Sequence, residues 1–504
     1  MELQIAVATI LFLLCVYIYS RRPKRNLPPG PPPVPLIGNI LQLPKEEAWF
    51  QFTEWGRIYG DVITLFILNK PFLVLNSAQS IIDLFDNRSA IYSSRPHLVM
   101  ADELMGFGDA LVFAPYGERF KNMRKLLKVG LGPTASRAFW PLIEKEIGLS
   151  LSRLLDNPDD FAQNFRQTAG ATALKTAYGF QDEEEFRMLT KDTEDMMYMF
   201  SLAARPDAFL VDTLPFLKYV PSWFPGAGFQ KLALKSKAAI RQVVDSPFES
   251  VKRKMASGTA PPSYTATLLG AGPEERIDDL DIKWTAAGVY AGQADTTVTA
   301  LSNFYLCMII FPEIQEKAQA EVDRVVGPNR LPSIKDRESL PYVCAILKEV
   351  LRWRPVARIV THSVIQDDTY RGYFIPSGSA VVANVWAACH DESVYKDPAE
   401  FRPERFLPPE SAPDSSKFAF GFGRRACPGE AVAQASLFCT MACTFATLKL
   451  SKAKDENGNV IEPVLRWTSG VTSFPHPFKC DIKPRSAKAV ELIRNHAARI
   501  GTAG

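Results

Sequence analysis

A chain of 504 residues could hold several domains by length, and a hydrophobic content of 47% supplies ample core. Its formal net charge of +3 is too small to point to nucleic acid as a partner. The eight cysteines (15, 307, 344, 389, 427, 439, 443 and 480) form no tight metal-type cluster, and several sit in apolar helical contexts that suit a reducing compartment.

Leu3–Tyr19 is apolar except for Gln4 and Thr9. That run is near the lower limit of the roughly 17–25 residues a spanning helix needs. Arg21, Arg22, Lys24 and Arg25 follow it, whereas only Glu2 precedes it, so residues 1–20 read as a membrane anchor with the rest of the chain on the cytosolic side. A cleaved signal peptide would carry its positive charge before the run and a small-residue cleavage site after it, and neither is evident. Residues 21–36 form a basic and proline-rich hinge whose Leu27–Pro35 stretch is a stiff spacer. The sequon Asn87-Arg88-Ser89 then lies on the side where glycosylation does not occur.

Beyond the hinge, Lys45–Tyr59 predicts a helix, and Val62–Leu68 and Phe72–Leu75 predict two strands split by Asn69-Lys70-Pro71. Amphipathic helical segments dominate from Tyr116 to Lys254, interrupted by the proline-rich Pro215–Pro225. Ala256–Asp278 is polar and glycine-rich and predicts a loop. Leu280–Phe311 is so long and apolar that its helix must cross the protein centre. Tyr342–Arg354 and Glu430–Leu448 predict further helices, Asp391–Ala412 a proline-punctuated meander, and Pro463–Pro484 short strands. There is no internal repeat.

Three stretches carry chemistry. In Ala291-Gly292-Gln293-Ala294-Asp295-Thr296-Thr297, glycine weakens the helix and a threonine hydroxyl can bond back to an earlier carbonyl, opening a kink or a pocket for water. Glu349 and Arg352 lie three apart on one helical face, beside apolar Val343, Ile346, Leu347, Val350 and Leu351, so a desolvated ion pair is expected. Cys427 follows Phe420-Gly421-Phe422-Gly423-Arg424-Arg425-Ala426 and precedes Pro428-Gly429 and an apolar helix. A cysteine so placed is a thiolate stabilised by a helix N-terminus and its free N–H groups. Its glycines let a flat ligand approach the backbone, and Arg425 can pair with a carboxylate on that ligand, which we read as haem. Cys439 and Cys443, four apart, could bind a metal or pack in the core.

The ten-residue pattern Phe-x-x-Gly-x-Arg-x-Cys-x-Gly, present as Phe420, Gly423, Arg425, Cys427 and Gly429, resembles the haem-binding signature of the cytochrome P450 family. The resemblance implies a mainly α fold with a small β region, a helix-rich domain plus a smaller sheet-containing domain over residues 37–504, behind an N-terminal transmembrane helix. It implies haem b (iron-protoporphyrin IX) with Cys427 as the axial iron ligand, bordered by Phe420, Gly421, Arg425 and Gly429. Glu349, Arg352 and Arg405 of Pro403-Glu404-Arg405-Phe406 would lock the meander that carries the cysteine. Asp295 and Thr296 would relay protons on the distal haem face, although Gln293 stands where glycine is common. Arg124 would reach a haem propionate, while Phe120 replaces a tryptophan and loses one hydrogen bond. His362 is either another propionate donor or an ordinary satisfied histidine.

Partners follow from the same resemblance. No flavin-binding domain fits in the chain, so electrons must come from a separate NADPH-cytochrome P450 reductase, docking on the stripe Lys121, Lys125 and Lys128. The chain is similar to fungal membrane-bound (microsomal type) members of specialised metabolism, which implies a single-pass endoplasmic reticulum protein with a cytosolic catalytic domain. Expected pocket positions, Met105, Phe107, Leu111, Val112, Phe113, Val289, Ala291, Val356–Val360 and Ser469–Ser473, are largely apolar and suit a lipophilic small molecule such as a terpenoid or polyketide. Arg358 is the charged exception, either holding a substrate carboxylate or pointing outward. O2-dependent monooxygenation is the leading expectation. The alternatives are a reductase-independent isomerase or dehydratase of the same fold, and a non-catalytic membrane-tethered haem or lipid binder.

Overall fold

The computed structural model describes residues 26–501 except 69, 181–188, 190–194, 205–207 and 272–277. The first helix, α1 (Ala48–Tyr59), buries Trp49 and Phe52 and ends at Gly60, whose φ of 110° only glycine adopts readily. Strands β1 (Val62–Ile67) and β2 (Lys70–Leu75) then pair as an antiparallel hairpin, from Val62 opposite Leu75 to Ile67 opposite Lys70. Further on come α2 (Glu118–Leu131), α3 (Trp140–Asp156), α4 (Phe161–Tyr178) and α5 (Gly228–Ala256).

The central helix α6 (Asp279–Ile310) begins where the Asp278 side chain accepts from the Leu280 N–H at 2.9 Å, and stops where Pro312 opens α7 (Pro312–Val325). Apart from a stretch around residues 288–296, it is buried on most sides, as its all-round apolar sequence requires. Helix α4 packs along it, with small buried Ala169, Ala173 and Ala177 at four-residue spacing. Helix α8 (Pro341–Trp353) and helix α9 (Glu430–Thr447) complete this core, in which the Cys439 and Cys443 sulfurs face the Pro332 carbonyl at 4.0 and 3.4 Å. Those two cysteines therefore pack rather than form a metal site.

The smaller part holds β3 (Ile359–Ser363), the hairpin β4 (Asp368–Tyr370) and β5 (Tyr373–Ile375), and β6 (Ala380–Asn384). The main sheet runs β1-β2-β6-β3, with β2 and β6 parallel and β3 antiparallel to β6. A separate apolar core beneath it includes Phe85, Tyr92, Phe418 and Phe422, which join the sheet side to the Cys427 loop. Strands β7 (Leu448–Lys452) and β8 (Cys480–Pro484) pair next to helix α10 (Ala487–Gly501).

Two expectations need correction, and one helix is added. The segment 256–278 contains a helix, Tyr264–Leu269, started by the Ser263 side chain accepting from the Ala266 N–H at 3.2 Å. In the described tail the only full strand is β8, with an isolated bridge between Trp467 and Pro475, because proline-broken backbone cannot sustain a ladder. The chain then adds α10, absent from the sequence reading, which packs on α3 through Arg494–Asp156 at 2.5 Å. The anchor at residues 1–20 lies outside the described residues. Among the described residues no single helix is long and apolar enough to cross a membrane.

Candidate active site

The loop before α9 is shaped by two left-handed glycines, Gly421 (φ 78°) and Gly423 (φ 50°). A Cβ on Gly423 would lie 2.3 Å from the Phe85 carbonyl oxygen, and its N–H donates to Asp86 at 2.6 Å, so the loop is clamped to the sheet side. Cys427 N–H donates to the Phe420 carbonyl at 2.7 Å, closing a turn that leaves the cysteine exposed just ahead of α9. Gly429 caps α9, and a Cβ there would stand 3.9 Å from the sulfur. Burial of the surrounding loop pushes the thiol up. The Gly429 N–H and the Arg124 cation pull it back, while Glu430 opposes them.

A group of half-buried cations gathers beside this loop. Arg425 donates to the carbonyls of Ser93 at 2.5 Å, Leu111 at 3.3 Å and Ala114, and its guanidinium lies 4.2 Å from the centre of the Phe120 ring. Phe120 lacks an indole N–H, but its ring face supports Arg425 instead. Arg124 donates to the Ala426 carbonyl at 2.7 Å. Arg95 donates to the carbonyls of Val112 at 2.9 Å and Thr361. His362 is buried, bonds through Nδ1 to the Tyr92 carbonyl at 2.8 Å and stacks on Phe85 at 4.2 Å.

Burial and the neighbouring Arg95 and Arg124 bring Arg425 down to about 8, and burial brings Arg95 to about 10. His362 is held well below the usual imidazole value by burial and by Arg95 and Arg425. Among the described residues no carboxylate pairs with Arg95, Arg124 or Arg425, although other arginines of the chain do have such partners. Clustered guanidinia bonded only to neutral carbonyls suit an anionic ligand, as the two propionates of haem would supply.

On α6, Thr296 Oγ1 donates to the Gly292 carbonyl at 2.7 Å, the back-bond expected from the sequence. The helix α6 continues through this turn without interruption. Gly288 and Gly292, four apart, are exposed although the helix is otherwise a core element, and a Cβ at either would meet nothing within 4 Å. A small side chain at either position would therefore clash with no neighbour. Asp295 is half-buried on the same turn, its carbonyl accepting from Thr299 at 2.9 Å, and Gln293 Nε2 is buried without a partner. Met105, Phe107, Phe113 and Ala291 meet in one apolar cluster beside it.

Behind the cysteine loop, Glu349, Arg352 and Arg405 meet at 0–1% exposure. Glu349 accepts from Arg352 at 2.6 and 2.8 Å, from Arg405 at 3.1 Å and from the Arg402 backbone N–H at 2.7 Å. The remaining guanidinium donors go to meander carbonyls, Cys389, Pro398 and Glu400 from Arg352, and Lys396, Asp397 and Glu400 from Arg405. Every guanidinium nitrogen of Arg352 and Arg405 has a partner, which is what a buried ion cluster requires.

Two further placements matter. Arg358 does not point outward: it is 2% exposed, enclosed by Trp49, Trp386 and Trp467. Cys427 itself lines a groove of about 740 Å³ together with Lys121, Lys125, Lys128, Arg337, Arg424 and the acidic Glu430. Arg95 escaped the sequence reading. Its available signal was a cation directly before Pro96 in Ser93-Ser94-Arg95-Pro96, which is a weak cue without the fold.

A cysteine at a helix start beside guanidinia bonded only to neutral carbonyls fits a haem-thiolate protein. Comparison with known proteins agrees. The family model described as Cytochrome P450 matches residues 28–479, and the chain belongs to that family. It is 42% identical over 499 residues to cytochrome P450 monooxygenase claR of Ampulloclitocybe clavipes, covering 98% of this chain and 92% of the relative. It is 41% identical over 493 residues to cytochrome P450 monooxygenase 208 of Postia placenta, covering 97% and 96%. Cytochrome P450 monooxygenase CLM2 of Gibberella zeae is 37% identical over 504 residues, covering 97% and 94%. The protein is thus a cytochrome P450 monooxygenase with haem b as its cofactor.

Proposed function

We propose that this monooxygenase takes electrons from NADPH through a separate reductase and inserts oxygen into a lipophilic small molecule, a terpenoid or polyketide intermediate of fungal secondary metabolism. The observation that carries the oxygenase reading is the exposed Cys427 beside carboxylate-free Arg95, Arg124 and Arg425. When bound, haem supplies the redox chemistry that activates O2, and a thiolate ligand favours O–O cleavage over reversible carriage.

The chain's own residues do the rest. Cys427 donates from a turn fixed by its N–H bond to Phe420. Arg95, Arg124 and Arg425 would orient the cofactor's carboxylates, while His362, whose Nδ1–H is engaged with the Tyr92 carbonyl, packs on Phe85. Thr296 holds its hydroxyl proton on the Gly292 carbonyl, close to the open stripe, and Asp295 one residue earlier returns protons to it from outside. Buried Met105, Phe107 and Phe113 exclude water from the chamber. The fungal origin of the relatives supports the substrate class, and the apolar chamber supports its lipophilicity. The basic groove supports docking of an acidic reductase. The N-terminal apolar run followed by basic residues supports a single-pass endoplasmic reticulum anchor with the catalytic domain cytosolic.

The test is co-expression with a reductase, followed by a search of lipophilic metabolites for a mass gain of one oxygen that depends on NADPH. Conversion that proceeds without NADPH or reductase would assign the chain to the isomerase or dehydratase class instead.

A further inference from the structure

Two segments distant in the chain meet at the apolar cluster that includes Ala287 and Ala291 of α6. One is the helical stretch Val99–Met105, which contributes Val99, Met100 and Met105. The other is the short helix Leu210–Thr213 with the turn Pro215–Tyr219, which contributes Val211 and Leu217.

Side-chain bonds join the two segments as well as packing. Asp212 Oδ1 accepts from the Met100 N–H at 2.7 Å, across a chain separation of 112 residues. A carboxylate from one segment thus satisfies a donor in the first turn of the other, which has no partner within its own helix. Lys218 donates to Glu103 at 2.7 Å, and His97 Nε2 lies 3.3 Å from the same carboxylate. Asp102 Oδ2 accepts from the Leu98 N–H at 2.9 Å. The second oxygens, Asp212 Oδ2 and Asp102 Oδ1, are closed to solvent and have no partner. An ionised carboxylate held this way is costly, and a proton on it relieves the cost.

Among the described residues, Asp212 is faced by His97, Asp102 and Glu103 from the first segment and by Lys218 from its own turn. Lys237 of α5 adds a cation whose side chain lies 3.4 Å from where a Gly106 Cβ would stand. Lys218 is engaged by Glu103, and His97, 62% exposed, is 3.9 Å from Asp102. Burial, with Asp102 adding to it, raises the Asp212 carboxyl to about 6, and burial followed by Glu103 raises that of Asp102. Once the segments part, water reaches Asp212 and its carboxyl returns to an ordinary 3.8. The closed arrangement therefore holds a proton more tightly than the open one. Protonation favours closure, and that advantage is lost as pH rises through about 6.

We infer that Asp212, with Asp102 beside it, is a proton-operated clasp between these segments, holding them together while it carries a proton and releasing them once both carboxyls are ionised. Asp212 is a positioning residue, acting through the helical stretch that brings Met100 and Met105 into the apolar cluster. The inference rests on the reading of that cluster as a wall of the substrate chamber, and adds to it a control of access by proton concentration.

The haem-loaded, full-length protein is mixed with benzyl isocyanide or with methyl isocyanide, neither of which titrates, and association is timed from the haem absorption band. Dividing the benzyl rate by the methyl rate removes any change at the haem itself. That ratio is expected to rise about tenfold from about pH 5 to about pH 7.5, with its midpoint near the raised value of Asp212. Asp212→Asn keeps an acceptor for the Met100 N–H and should hold the ratio at its low-pH level throughout. Glu103→Gln, which removes the tie to Lys218, should raise the ratio at every pH and keep the midpoint. His97→Gln should leave the rise in place. A wild-type ratio below one that does not vary with pH, a rise that survives Asp212→Asn, or a rise abolished by His97→Gln would overturn the clasp. Failure of the chamber reading looks different: the two probes then bind at equal rates at every pH, and the clasp falls with it.

Discussion

Arg124 donates to the Ala426 carbonyl at 2.7 Å, which fixes a cation beside the sulfur of the next residue. Arg124 is one of two groups holding the Cys427 thiol down against burial, so its removal moves the thiol further up and the thiolate protonates at a higher pH. In Arg124→Met, the red-shifted band of the reduced carbon monoxide complex is expected to give way to the blue-shifted form at a higher pH than in wild type. Cys427→Ser is expected to lack the red-shifted band at every pH.

Glu349 is the single anion between two fully buried guanidinia. Glu349→Gln strands both, at a cost of ~3–5 kcal/mol. Thermal denaturation should show a large fall in midpoint, with haem lost as the meander loosens. Retention of wild-type stability would mean that the carbonyl bonds alone hold the loop.

Thr296→Ala removes the hydroxyl that sits on the Gly292 carbonyl without disturbing the helix, since alanine is a better helix former. Product formed per NADPH consumed is expected to fall on the order of tenfold, with hydrogen peroxide making up the difference. Comparing oxygen uptake with product yield in one reaction checks this.

The basic groove gives a cleaner target than the sequence stripe suggested. Lys121 is already paired with Glu118 at 2.5 Å, so Lys125 and Lys128 are the better charges to reverse. Lys125→Glu with Lys128→Glu should slow reductase-supported turnover on the order of tenfold at low salt, less at high salt, and spare turnover driven by added peroxide. Equal loss in both assays would remove the docking assignment.

Asp212 predicts a pH effect of its own. Burial, with Asp102 nearby, raises its carboxyl from an ordinary 3.8 to about 6, against a hydrogen bond from the Met100 N–H. Between those values the folded protein binds more protons than the unfolded chain. The contribution is therefore complete below pH 3.8 and is lost as pH rises through about 6. Asp212→Asn should remove this slope and gain ~2 kcal/mol relative to wild type at neutral pH, measured by denaturant unfolding at several pH values.

What was legible in the sequence is what depends on short spacing. Glu349 and Arg352 at three residues, Thr296 bonding back by four, and the glycines ahead of Cys427 all act through local backbone geometry that a one-dimensional pattern can display. The end of α6 was readable because Pro312 bounds it, whereas its Asp278 cap came from the structure. What escaped was assembled from distant segments. Arg95 meets Arg425 across more than three hundred residues, and the cage of Arg358 draws its tryptophans from positions 49, 386 and 467. The parallel pairing of β2 with β6 is equally remote. Helix α10 follows a strand directly, and its amphipathic pattern stands out only once the end of that strand is known.

The bare stripe at Gly288 and Gly292 has a wider consequence. Alanine at either position would strike nothing and would strengthen the helix by about 0.5–1 kcal/mol, so the missing methyl groups represent stability forgone for room. Each is a place where the helix surface can be thickened one carbon at a time without endangering the scaffold. Where that surface borders the proposed substrate chamber, descendants of this protein could exchange one bulky guest for a slimmer one through single, structurally harmless steps.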